Sequence, residues 1–154
     1  MTNRVVDIIV VIVANLFNLI IVGVMFSRPT GLKKLEYYIG LLNISLILPL
    51  GTALVFNISN DRERWTMILP GLLILYLVIE LLLDYVFRFP FRQTRWLAPY
   101  LGLFYLAQWM MIGYAFVVDT VYGAVTLGTY FISLGATAYS YRKVGHGMSA
   151  IQEK

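Results

Sequence analysis

The 154-residue chain contains no cysteine and a single histidine, His146. Without cysteine it cannot form disulfides, iron–sulfur clusters or zinc sites with thiolate ligands. One histidine also excludes a haem held by two histidines of the same chain. We therefore expect no cofactor and no metal centre, and the sequence points to no catalytic residue.

Charge is also scarce, since Asp, Glu, Lys and Arg make up 13% of the residues and apolar residues 60%. The apolar residues form near-continuous runs of about 20, which is typical of transmembrane helices and not of a soluble core. The chain has no phosphate-binding loop, dinucleotide fingerprint, nucleophile elbow or H-E-x-x-H motif. These absences argue against an enzyme, and nothing beyond basic charge suggests nucleic-acid binding.

Five apolar runs each have the length of one membrane crossing. They are residues 5–26, 37–58, 67–87, 97–118 and 121–141. The last two cannot be one helix, because about 45 residues would extend about 67 Å. The first run carries Asp7 and is expected to stay as a span, not to be cleaved as a signal peptide. The sequence predicts an all-α integral membrane protein, a five-helix transmembrane domain (1–141) with the third span near its centre, followed by a polar tail (142–154).

Lys and Arg are distributed unevenly between the two ends of these spans. Nine of the 12 fall in the first connection, the third connection and the tail, and three fall on the other side. By the positive-inside rule, this places the N-terminus outside and the C-terminus in the cytoplasm of a cell membrane. A faint similarity at a spacing of about 62 residues suggests that spans one and two are repeated, in parallel orientation, as spans three and four.

The third span carries two carboxylates, Glu80 and Asp84, in its second half. A carboxylate at membrane depth costs roughly 2.5–3.5 kcal/mol and is therefore a candidate functional group. Asp84 can pair with Arg88 one turn later, near the lipid headgroups. No Lys, Arg or His lies within the five runs, so Glu80 must be protonated, hydrogen-bonded to neutral groups or matched by a cation from outside the chain.

Polar residues of the other four spans fall at about the depth of Glu80 or one turn away from it. The predicted ligand- or ion-binding residues are Glu80, Asp84, Asn18, Asn43, Tyr105, Gln108, Tyr76 and Ser133, with Asn15 and Thr137 nearby. If these faces converge, they enclose a cavity for a proton, a small cation or an amine-like ligand. The structural alternative is that the amides cross-link helices, at about 0.6 kcal/mol per hydrogen bond.

Three surface features have competing interpretations. Arg88, Arg92 and Arg95 alternate with aromatic residues, and they bind anionic lipid headgroups or serve as an ordinary interfacial anchor. Small residues of the fifth span permit close helix packing, within the chain or in a homo-oligomer. These small residues are Ala124, Gly128 and Gly135. At the opposite interface, Asp7 and Asp119 either attract cations to an outer mouth or have structural roles. The structural interpretation is favoured, with Asp7 as a solvated end residue and Asp119 with Thr120 as a capped turn.

The leading functional hypothesis is a proton- or cation-linked carrier or channel-like protein centred on Glu80. The first alternative is a ligand-binding, lipid-binding or structural membrane subunit without transport. The second is an intramembrane acid–base enzyme that uses Glu80 and Asp84 on a lipid-like substrate.

Overall fold

The computed structural model describes residues 2–89 and 94–144, and within these ranges every regular element is a helix. The helices are α1 (Asn3–Ser27), α2 (Lys33–Ser45), α3 (Ile47–Ser59), α4 (Trp65–Glu80), α5 (Leu97–Val118) and α6 (Thr120–Val144). A π-helical turn over Leu81–Val86 continues α4. Residues 145–154 of the predicted tail lie outside the described residues.

Five helical segments of the described chain are long and apolar enough to cross a membrane. They are Asn3–Ser27, Lys33–Ser59, Trp65–Val86, Leu97–Val118 and Thr120–Lys143. Each matches a predicted span to within about one helical turn, which confirms an all-α fold consistent with a multi-pass membrane protein. The orientation in the membrane and the internal repeat stay predictions.

The second span is divided into α2 and α3 at Leu46. Pro49 has no N–H to donate to the carbonyl of Ser45, and its ring would clash with that carbonyl in a continuous helix. The N–H of Leu46 bonds to the carbonyl of Asn43 at 3.2 Å, which tightens the last turn of α2. The chain then restarts as α3, with Pro49 in the first turn, where a missing N–H is tolerated. The apolar pattern alone does not indicate this break.

Helix α1 occupies the centre of the bundle, because it packs against α2, α3, α5 and α6. The expectation that the third span is central is wrong: α4 packs mainly against α3 and α5. The core side chains come from all of these helices, and Val10, Leu50, Leu77 and Tyr114 are fully buried. This arrangement brings Asn43 of α2 and Glu80 of α4 together near one end of the bundle.

Candidate functional site

Glu80 is the last residue of α4, where the α-helix passes into the π-helical turn. Its Oε2 accepts a hydrogen bond from Nδ2 of Asn43, in the last turn of α2, at 3.2 Å. Single π-helical turns within α-helices are frequent at functional sites.

Asn43 is 1% exposed, yet its side-chain carbonyl oxygen, Oδ1, has no hydrogen-bond partner among the described residues. An amide oxygen can accept two hydrogen bonds, and burying one unsatisfied costs about 1–3 kcal/mol. Native structures rarely leave such an atom without a donor from the protein, a water or a ligand. Asn43 therefore provides an acceptor for a molecule that enters the space beside it.

That space is a cavity of about 90 Å³, which we call the inner cavity. Asn43 and Glu80 line its polar side, and the rings of Tyr76, Tyr100 and Phe104 line another. The hydroxyl oxygens of Tyr76 and Tyr100 are hydrogen-bonded to each other at 2.8 Å. The inner cavity thus combines a carboxyl group, an unsatisfied amide oxygen and aromatic faces, which together suit a cation with N–H donors.

A second, wider cavity of about 230 Å³, which we call the vestibule, adjoins the inner cavity. The two cavities share the residues Val24, Arg28, Gly40 and Glu80. The vestibule is also lined by further charged side chains, namely Lys33, Glu36 and Asp84.

Arg28 is a cation of the same chain at the mouth of the inner cavity, and its Nε donates to Oε1 of Glu36 at 2.9 Å. A connection between Arg28 and Glu80 was not predicted, because Arg28 lies just beyond the first apolar run. Its position two residues after that run, at the same end as Glu80, was the available signal.

Asp84 lies within the π-helical turn and lines the vestibule. The helix ends at Val86, and Arg88 adopts a positive φ of 49°, outside the helix. The spacing of four residues therefore no longer places Arg88 one regular turn above Asp84.

A separate polar cluster, which we call the amide cluster, connects α1 with α5 and α6. Asn18 accepts a hydrogen bond from Nε2 of Gln108 at 3.1 Å and donates to Oγ1 of Thr129 at 3.0 Å. Asn15 donates to Oγ1 of Thr126 at 3.0 Å and accepts from Thr129 at 2.9 Å. The partners of Asn15 and Asn18 thus lie on α5 and α6, and not on α4, so the structure does not bring these amides to Glu80.

Tyr105 and Ser133 also lie away from the inner cavity. The Tyr105 ring packs against the ring of Phe104, with centroids 5.1 Å apart. The Ser133 hydroxyl donates to the carbonyl of Tyr130 in its own helix at 2.8 Å. Of the predicted site residues, the structure brings together Asn43, Tyr76, Glu80 and Asp84 around the two cavities.

The opposite end of the bundle contains a network that the sequence analysis missed, which we call the terminal network. Arg62 donates to both carboxylate oxygens of Asp7, at 2.9 and 3.0 Å, and to Oδ1 of Asn57 at 3.0 Å. The Tyr114 hydroxyl donates to Oδ1 of Asp7 at 2.6 Å. Hydrogen bonding to Asp7, partly opposed by burial, raises the pKa of Arg62 above its ordinary value.

The expectation that Asp7 is solvated is therefore wrong, since its side chain is 13% exposed. The predicted spans place Asp7 and Arg62 at the same end of the bundle. Their opposite charges were the available signal for this pair. Asp119 behaves as predicted: its carboxylate accepts a hydrogen bond from the N–H of Val121 at 2.7 Å in the turn between α5 and α6.

Two surface predictions remain, one for the arginines of the third connection and one for the small residues of α6. Arg88 and Arg95 are exposed, whereas Arg92 lies outside the described residues. The small residues of α6, Ala124, Gly128 and Gly135, are exposed and are not covered by another helix of the described chain. Close packing within the chain is therefore excluded for this face, and a homo-oligomer through it stays a prediction.

Comparison with models of known protein families, with curated proteins and with solved structures found no match for this chain. Helical bundles carry out many unrelated functions, so the fold does not identify one. Function must be argued from the chemistry of the two cavities.

Proposed function

We propose that this protein is a small carrier of a cell membrane, and that Glu80 is its binding group for a proton or a small cation. The observation that supports this proposal is the pairing of Glu80 with Asn43, whose buried Oδ1 lacks a donor at the inner cavity. A carboxyl group at membrane depth is costly and is retained mainly where it binds an ion, a proton or a charged ligand. An ammonium or hydronium ion supplies the N–H or O–H donors that Asn43 needs.

The two ends of the bundle differ in a way that a carrier requires. The inner cavity adjoins the wider vestibule at the end that carries Arg28 and Glu36. At the other end, Arg62 and Asp7 tie α1 to the connection between α3 and α4. A binding site that is reached from one end while the other is held closed is an end state of alternating access.

A ligand-binding membrane subunit without transport is the second candidate. The amide cluster favours it, because Asn18 bonds to both Gln108 and Thr129 and so connects α1 with α5 and α6. Alternating access needs one part of the bundle to move against another. Satisfied hydrogen bonds between these helices oppose that movement and leave binding as the simpler function.

The test uses purified protein in liposomes that contain a pH-sensitive dye. An imposed proton gradient, with or without ethylamine as a test cation, should give a flux that Glu80→Gln abolishes. The substitution keeps the size of the side chain but fixes it as neutral. Glu63→Gln is the matched control, since Glu63 is exposed in the connection between α3 and α4 and should leave the flux unchanged.

Equal flux in Glu80→Gln and the unmodified protein would overturn the proposed role of Glu80. Stabilisation by ethylamine that depends on Glu80, without any flux, would instead establish the second candidate.

A further inference from the structure

We infer that the ligand of this site is a short zwitterion, with a primary ammonium held in the inner cavity and an anionic group held in the vestibule. This inference rests on the proposed function, since it names the class of ligand that Glu80 binds. It follows from the different chemistry of two cavities that adjoin at Arg28, Gly40 and Glu80.

The inner cavity suits a primary ammonium and not a quaternary one. A primary ammonium carries three N–H donors, which can reach the Glu80 carboxylate and the unsatisfied Oδ1 of Asn43 together. Tyr76 and Phe104 present aromatic rings to the same space, and such rings attract cations. A quaternary ammonium has no N–H group, so Asn43 would remain without a donor.

The vestibule contains two cations for the other end of the ligand, Arg28 and Lys33, alongside the carboxylates of Glu36 and Asp84. Within the described chain, the Arg28 guanidinium bonds through Nε to Glu36 and through Nη1 to the sulfur of Met25, which is a weak acceptor. Its Nη2 remains for a further acceptor. Guanidinium and ammonium groups both bind carboxylate and phosphate groups.

The size of each cavity agrees with this division. The inner cavity, at about 90 Å³, has the space of about three waters at about 30 Å³ each, which is enough for an ammonium and one or two carbons. The vestibule, at about 230 Å³, has room for a phosphate or carboxylate group. Gly40 lies at the junction, where an added Cβ would contact the hydroxyl of Tyr85. The absence of a side chain there makes room for the Tyr85 hydroxyl, which also lines the vestibule.

Such a zwitterion can be a free solute or the ethanolamine headgroup of a phospholipid, since both join a primary ammonium to an acidic group over a few bonds. The probe that carries this shared chemistry is O-phosphoethanolamine. Ethylamine lacks its anionic group, and phosphocholine lacks its N–H donors. Comparing the three probes separates the contribution of each end of the ligand.

The experiment measures binding of these probes to the full-length protein in detergent by titration calorimetry. O-phosphoethanolamine should bind at least about tenfold more tightly than either ethylamine or phosphocholine, since each lost charge-assisted contact is worth a factor of about ten or more. Lys33→Gln should weaken binding of O-phosphoethanolamine severalfold and leave binding of ethylamine unchanged. Lys34→Gln is the matched control, because Lys34 is its exposed neighbour and does not line the vestibule.

Arg28→Gln should have a larger effect than Lys33→Gln, but it also removes the ion pair with Glu36. Lys33 is exposed, so Lys33→Gln keeps the test valid if Arg28→Gln fails to fold. Equal affinity for ethylamine and O-phosphoethanolamine, or tight binding of phosphocholine, would overturn the inference and leave Glu80 as a cation site. If no probe binds in a manner that depends on Glu80, the inference fails, whereas the proposed function stands or falls on the flux of Glu80→Gln.

Binding measurements in nanodiscs distinguish the two sources of the zwitterion, a lipid headgroup and a free solute. If the lipid headgroup is the ligand, discs rich in phosphatidylethanolamine should compete with added O-phosphoethanolamine and lower its apparent affinity relative to phosphatidylcholine discs. If the ligand is a free solute, the two kinds of disc should give the same affinity. Either result supports a zwitterion, and each identifies one source.

Discussion

Arg62 donates hydrogen bonds through Nη1 and Nη2 to the two carboxylate oxygens of Asp7, which lies 55 residues earlier in the chain. The two side chains are 12% and 13% exposed, so the pair is largely removed from water. It joins the start of α1 to the connection between α3 and α4, and Tyr114 adds the end of α5. Three parts of the chain that are distant in sequence are thereby fixed at one end of the bundle.

Arg62→Leu should lower the free energy of unfolding by about 3 kcal/mol, since removing one partner leaves the other charge buried without its counter-ion. Equilibrium unfolding in mixed detergent would measure this change. Arg64→Leu is the matched control, because Arg64 is an exposed arginine in the same connection and should change stability little. Equal effects of the two substitutions would contradict a special role for Arg62.

The stabilisation due to Arg62 should not depend on pH in the neutral and mildly alkaline range. Folding raises the pKa of Arg62, mainly through the hydrogen bond to Asp7. A cation of this kind stabilises the folded state fully below its unfolded pKa, and loses that effect only as pH rises through the folded value. Both values lie far above neutrality for arginine. The difference in stability between the Arg62→Leu variant and the unmodified protein should stay constant when unfolding is repeated across this range.

The amide cluster should contribute to stability through coupling between helices. A double-mutant cycle of Asn18→Leu and Gln108→Met should give a coupling energy of about 0.6 kcal/mol, with about 1.7 kcal/mol as the upper end of measured values. Thr52→Val is a suitable control for the loss of a polar group that does not connect two helices. Thr52 is exposed, and its hydroxyl donates to the carbonyl of Leu48 within α3. A coupling energy of zero would mean that the hydrogen bond between Gln108 and Asn18 adds nothing measurable.

Two glycines of α6 should differ in how substitution by alanine changes the stability of the protein. A Cβ on Gly123 would overlap the ring of Phe116 across the turn between α5 and α6, whereas a Cβ on Gly128 meets open space. Overpacking of this kind costs about 1–3 kcal/mol, which outweighs or cancels the gain of about 1 kcal/mol in helix propensity. Gly123→Ala should therefore be no more stable than the unmodified protein, while Gly128→Ala is neutral or stabilising. Thermal unfolding distinguishes the two, and greater stability of the Gly123 variant would contradict the close contact.

The exposed small-residue face of α6 tests the prediction of a homo-oligomer. If Gly128 lies in a contact between two copies, Gly128→Leu should lower the mass measured by light scattering in detergent, because its larger side chain prevents close approach. Val125→Leu, a change at an exposed apolar position of the same helix, controls for added volume. An unchanged mass in Gly128→Leu would exclude this face as the seam.

Orientation can be tested directly because the chain has no native cysteine. Single cysteines at residues 60 and 148 should react with an impermeant reagent from opposite sides of the membrane, residue 60 from outside. The physical basis is the excess of Lys and Arg in the first and third connections and the tail. Labelling of both positions from one side would contradict the five-span topology.

The sequence was sufficient to predict the number of helices long and apolar enough to cross a membrane, because a bilayer requires about 20 apolar residues per helix and the runs have that length. It was also sufficient to single out Glu80 and Asn43, which the structure pairs. It did not indicate how α2 ends. Pro49 carried that information locally, but whether a proline bends a helix or divides it depends on the packing around it.

Side-chain partners were harder to predict than spans. Counting residues from the span ends placed Asn18 and Asn43 at one depth and Gln108 one turn away, but depth does not give the direction in which a side chain points. In the structure Asn18 and Gln108 face each other, while Asn43 faces Glu80. Thr126 and Thr129 were overlooked because hydroxyls are common in membrane helices, and only contacts between helices distinguish these two. Such contacts depend on the rotation of each helix, which local sequence does not determine.

The π-helical turn at Leu81–Val86 has a consequence for insertions and deletions. Relative to an α-helix, such a turn holds about one additional residue. Elsewhere in a span, deleting a residue rotates all that follows by about 100°, since each residue of an α-helix advances the chain by that angle. Within Leu81–Val86, a one-residue deletion can be absorbed by a return to regular α-helical pitch. This segment is therefore where the third span can lose a residue while the chain that follows Val86 keeps its direction relative to α4.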